Sequence, residues 1–220
     1  MSRRQPYVPG DYAGNFPREY EAYNTQYAGQ LETIGWQWWD TQTYISGTTT
    51  SLTQFFNVRA TPDLGNMEVA FQLAAPKAFL ICAVRFFVKQ RARGISPSTV
   101  GANAGAFDNI AQLINDGVFV LTIGNKQYTQ NALWTLTAGG GAAGVMAANG
   151  GAASGNGMLN DYAQSGIADP RAVYTLAKPL FIPPQMNFNG VVTWPAAITL
   201  NGGNTTITFL LDGDLLRPVQ

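Results

Sequence analysis

The sequence predicts an all-β protein: a sandwich or single jelly roll of about eight strands, with one short helix and an extended N-terminal arm. Three observations predict it. Beyond residue 50, apolar and polar residues alternate at period two over several runs, the spacing of a strand with one face in a core. Gly, Asn and Pro clusters separate those runs at places where a chain must turn. One segment alone carries a pronounced helical period.

The strands follow in chain order. In residues 66–73, Met67, Val69, Phe71 and Leu73 take one face and Asn66, Glu68, Ala70 and Gln72 the other. Ala75, Pro76 and Lys77 then make a turn. Residues 79–89 read as a central strand, with Leu80, Cys82, Val84, Phe86 and Val88 on a wholly apolar face and Arg85 and Lys89 interrupting the other. Residues 118–123 are apolar at nearly every position. Gly124 and Asn125 join them to residues 126–137, and Gly accepts the positive φ that a type II′ hairpin turn requires. Residues 186–194 alternate again, and residues 201–204 turn the chain into a last strand over 205–211, with Ile207, Phe209 and Leu211 inward. Asp212 and Gly213 read as a turn. The expected core contains Phe71, Val84, Phe86, Phe188, Val192, Ile207 and Phe209.

The helix is set by Phe107, Ile110, Leu113 and Ile114, spaced on one helical face, with Gly117 where a helix stops. It is expected to cover an open end of the sandwich. The Gly/Ala-rich segment at 138–157 has too little side chain to bury for its own ordering, so it is expected as a surface loop. The domain organisation is therefore an arm over residues 1–50 and one sandwich domain over residues 51–220.

The arm is rich in Tyr, Gln, Asn, Gly and Thr, and Pro6, Pro9 and Pro17 break any early helix. Residues 18–31 are compatible with a short helix. Trp36 and Trp38 share one face of an extended strand and Trp39 takes the other. Tyr buries a large amphipathic surface at low entropy cost, which suits a contact between subunits. The expected subunit-contact residues are Tyr7, Tyr12, Phe16, Tyr20, Trp36, Trp38 and Trp39. The same rings are also compatible with closing one end of the core.

Composition narrows the function. Of 220 residues, 12% are charged, and 13 Lys and Arg balance 13 Asp and Glu. So low a charge gives little protection against self-association, which suits a surface covered by other subunits. A surface of Asn, Gln, Thr and Ser is the alternative. No strong charge excess points to a specific nucleic-acid site; Arg3 with Arg4, and Lys89 with Arg91 and Arg93, are short clusters. The single cysteine, Cys82, excludes an intrachain disulfide, and the chain has no histidine. That removes Ser-His-Asp and Cys-His catalysis and the commonest metal ligand. Residues 1–10 lack the apolar stretch of a signal peptide, and no run is long enough for a membrane helix.

The remaining motifs carry little chemistry. The glycines from Gly139 lack the Lys-Ser/Thr of a P-loop. Asp212 with Asp214 lacks the further ligands of a calcium loop, and Asn160, Asp161 and Asp169 flank a loop. Glu68 and Asp63 could pair as acids only if the fold brought them to one cleft. Neither cofactor, metal nor catalytic residue is expected, and the chain is read as no enzyme.

The C-terminal residues carry a further signal. KPLFIPPQMNFNGVVTW is followed by ITFLLDGDLLRPVQ: a strand stopping at Pro-Pro, a half-polar strand, and a last strand ending in Leu-Asp-Gly before Arg217, Pro218 and Val219. This pattern, over residues 51–220, resembles small jelly-roll capsid proteins of bacteriophages, including tailless icosahedral phages and those with an internal membrane. The chain is too short for a double jelly roll and lacks the long charged helix of tailed-phage capsids. The resemblance implies a structural virion protein that self-assembles into an icosahedral capsid, made in the host cytoplasm. Its partners would be copies of itself and other virion proteins, with an internal membrane or penton and spike proteins as further neighbours. A minor decoration or vertex protein fits the same pattern. The alternative reading is a carbohydrate- or receptor-binding sandwich module, a spike or lectin-like protein, with Trp36, Trp38 and Trp39 stacking on sugar rings.

Overall fold

A computed structural model describes residues 17–27, 29–89, 106–137, 140–147, 160–166, 173–200 and 203–219. After helix α1 (Arg18–Gln26), the chain forms β1 (Leu31–Tyr44), β2 (Ser51–Phe55) and β3 (Ala78–Lys89), then helix α2 (Ala106–Asp116). β4 (Val118–Ile123), β5 (Lys126–Ala132), β6 (Gly140–Ala147), β7 (Asn160–Gly166), β8 (Tyr174–Ile182), β9 (Phe188–Thr193) and β10 (Thr205–Pro218) follow. Eight strands make two four-stranded sheets, ordered β1-β10-β3-β8 and β2-β9-β4-β5, and β6 and β7 form a separate hairpin.

The pairing explains the order. β1 pairs with β10, β2 with β9, β3 with β8 and β4 with β5, all antiparallel. The chain is thus one long hairpin, with successive pairs alternating between the two sheets until the β4–β5 turn at its tip. That is the wrapping of a single jelly roll, and the expected fold class holds.

The core lies between the sheets. Val84, Phe86, Phe188, Val192, Ile207 and Phe209 are all buried, as their alternation predicted. Phe209 stacks on Phe119 with centroids 4.1 Å apart and meets Phe55 and Phe86 at 4.9 and 5.0 Å. Phe209→Ala removes the ring shared by three others and is expected to cost about 3–5 kcal/mol; the midpoint of urea unfolding, at unchanged slope, checks it. Leu113 and Ile114 of α2 join the core, and the Trp194 indole N–H donates to the Leu113 carbonyl at 3.0 Å. Gly124 has φ +58° between Ile123 and Lys126, the conformation required of it at the hairpin tip.

Several expectations are corrected. Residues 31–44, assigned to the arm, form β1, paired along its whole length with β10. The period-two pattern of 66–73 is not a strand: Phe71 is left-handed at φ +60°, and the chain doubles back so that Val69 bridges Gln72. Met67 and Leu73 still reach the core, whereas Phe71 is half-buried. Asp212 and Gly213 do not turn the chain, because β10 runs on to Pro218. Residues 140–147 of the Gly/Ala segment pair with residues 160–166. Of the two α-helices among the described residues, the first, Arg18–Gln26, falls within residues 18–31, the stretch compatible with a short helix.

The faces of β3 are also corrected. Ala83 faces Asp212 on β10, yet Ile81 faces Gly213, so Cys82 is an extra residue, a β-bulge. Alternation restarts there. Phe79, Ile81, Val84, Phe86 and Val88 enter the main core, while Leu80 and Cys82 point to the outer side of the sheet.

Candidate assembly surface

The expected contact residues fall into three groups. Tyr7, Tyr12 and Phe16 lie outside the described residues. Tyr20 belongs to α1, which packs on the outer face of the β1-β10-β3-β8 sheet in a cluster with Ala78, Leu80, Cys82, Phe181 and Leu216. Its ring meets Phe181 edge-on at 5.8 Å, and the Tyr23 hydroxyl donates to the Pro76 carbonyl. Tyr20 therefore spends its surface on its own chain rather than on a neighbour. The three tryptophans separate by strand parity. Trp38 is 2% exposed in the core, Trp36 is 41% exposed on the same side, 5.9 Å from it, and Trp39 is half-buried on the opposite face. They do not form one exposed row.

Two of the acids weighed for chemistry, Glu68 and Asp212, are paired with cations. Glu68 pairs with Lys77 at 2.6 Å on the surface. Asp212 binds the Arg85 guanidinium at 2.5 and 2.7 Å and accepts from the Gln37 amide. The side chains of Asn160 and Asp161 and all of Asp169 lie outside the described residues. Among the described residues, no group of three or more Cys, Asp and Glu gathers as a metal site, and no helix is long and apolar enough to cross a membrane.

Exposed apolar side chains mark other places. Ile45, Val58, Tyr128, Trp134, Met186 and Val219 are all more than a third exposed, Trp134 the most at 59%. Tyr128 and Met186 help line a groove of about 530 Å³ between the β4–β5 turn and β8. Pro179, Phe181 and Pro183, and Pro17 at the start of α1, also line it. Sequence reasoning missed Tyr128, Trp134 and Met186. Tyr128 sits in the polar run of β5, and that mismatch between one aromatic and its neighbours was the available signal.

Titration of this surface follows burial. Desolvation raises the Tyr20 phenol above its ordinary value, partly offset by its hydrogen bond with Thr33. Burial raises Tyr23 in the same way.

Comparison with protein-family models, with curated proteins and with solved structures finds no match.

Proposed function

We propose that the chain is a non-enzymatic structural subunit that builds a shell, as the capsid protein of a bacteriophage virion. The observation that carries this reading is the complete eight-strand jelly-roll wrap, an architecture shared by viral capsid and lectin domains and cupins. Two features favour the shell among those uses. The chain has no histidine, so a cupin-type metal chemistry lacks its usual ligand. Its charge is low and balanced, and large apolar side chains such as Trp36 and Trp134 are exposed to solvent. Buried against neighbouring copies, such residues would contribute to association rather than burden a free monomer.

The test is self-association. Purified protein is expected to sediment as trimers or larger species and to give regular particles in electron micrographs. Removing residues 2–16 is expected to leave the β-sandwich circular dichroism unchanged and to weaken assembly. That cut spares α1, whose loss would uncover Leu80, Phe181 and Leu216. A full-length protein that stays a 23.6 kDa monomer from micromolar to millimolar concentration overturns the proposal.

A further inference from the structure

Helix α1 covers an outer-face layer that, among the described residues, places the Asp214 carboxyl near the Tyr20 phenol. Asp214 lies two residues from Leu216 on β10 and shares its face, opposite Gly35 on β1 and Leu80 on β3. It is 5% exposed, and its Oδ1 is buried with no hydrogen-bond partner. Among the described residues, the groups around it supply no countercharge. From α1 comes the Tyr20 phenol, bonded to Thr33, and from β3 the Cys82 thiol. Phe181 of β8 is apolar, and on its own strand Asp212 is already held by Arg85. Glu32 and Arg217 pair with each other one register step beyond Thr33 and Leu216, on the opposite face.

We propose that α1 is a pH-released latch, seated on the sheet while the Asp214 carboxyl keeps its proton and loosened when that carboxyl ionises. A buried carboxylate without a partner is far less tolerable than the neutral acid. The helix can escape the conflict more easily than β10, which is bonded on both sides. α1 has nine residues, too short for much stability of its own, so its seat decides whether it holds.

The direction follows from burial, which raises Asp214 above the ordinary aspartate range. Between that range (about 3.9) and the raised value, the seated state holds a proton that the lifted state releases to water. Seating is therefore strongest below the ordinary range and is lost as pH rises through the raised value.

Hydrogen exchange at the Glu21 and Tyr27 amides, which donate to Pro17 and Tyr23, reads the latch directly. Relative to intrinsic rates, their protection is expected to fall about tenfold or more from acidic to neutral pH, because a buried carboxylate without a partner penalises the seated state. The Phe86 amide in β3, bonded to Leu136, serves as the control for global opening. In Asp214→Asn and Asp214→Leu the helix should stay protected across the range, and the leucine variant keeps the test open if the amide is poorly accommodated. A flat profile in the unaltered protein overturns the latch. So does a pH dependence that persists in either folded variant.

Discussion

Gly213→Ala is expected to unfold the sandwich, or to cost at least about 3 kcal/mol if the sheet yields, at the upper end of what overpacking does in a core. A Cβ there would sit 2.8 Å from the Leu80 carbonyl carbon and closer still to its oxygen, with the Phe79 ring at 3.1 Å. Backbone cannot step aside as a flexible side chain can, because Leu80 is tied into β3 between β10 and β8. Gly190→Ala is the contrasting case. Its Cβ would meet mainly Phe119 and Phe55 side-chain atoms, at 2.7 to 3.2 Å, and a ring can tilt. The expected order is a larger loss for Gly213→Ala than for Gly190→Ala, measured by urea unfolding of each. Equal losses would show that the bulge can open. A domain has only about 5–15 kcal/mol of stability in total, so the first variant approaches the limit.

Asp40→Ala is expected to cost about 3–5 kcal/mol, the range for breaking one side of a buried ion pair. The Asp40 carboxylate is fully buried and binds the Arg59 guanidinium at 2.5 and 2.7 Å. It also accepts from the Phe56 amide at 2.7 Å and the Thr41 amide at 2.8 Å. Phe56 is left-handed at φ +71°, a costly conformation for an aromatic residue, and the carboxylate holds it there. Removing Asp40 strands Arg59, leaves a buried N–H without an acceptor and frees the strained turn. In the double variant with Arg59→Ala, part of the loss should return, since no cation is then left unpaired. A single-variant loss below about 1 kcal/mol would mean that water replaces the carboxylate.

The sequence by itself determined the elements whose signal is local. β9 and the first half of β10 declare their inward residues by alternation, and Phe188, Val192, Ile207 and Phe209 are buried as expected. Gly124 marked its hairpin because a positive φ favours glycine, and the helical spacing around Leu113 and Ile114 placed α2. Parity correctly set Trp36 and Trp38 on one side, but it could not say that one ring would be core and the other open. Tertiary structure decided where a local pattern needs a partner to acquire meaning. The expected single face of β3 broke at Cys82, because a bulge exists only relative to the facing strand, and one extra residue reverses every side chain beyond it. Asp212 and Gly213 look like a turn until β1 and β3 flank them and their backbone groups are drawn into two ladders. Residues 31–44 look like an arm because their polar side chains hide a strand. Pairing with β10 satisfies their backbone, and the helix before them is held by the outer face of the same sheet.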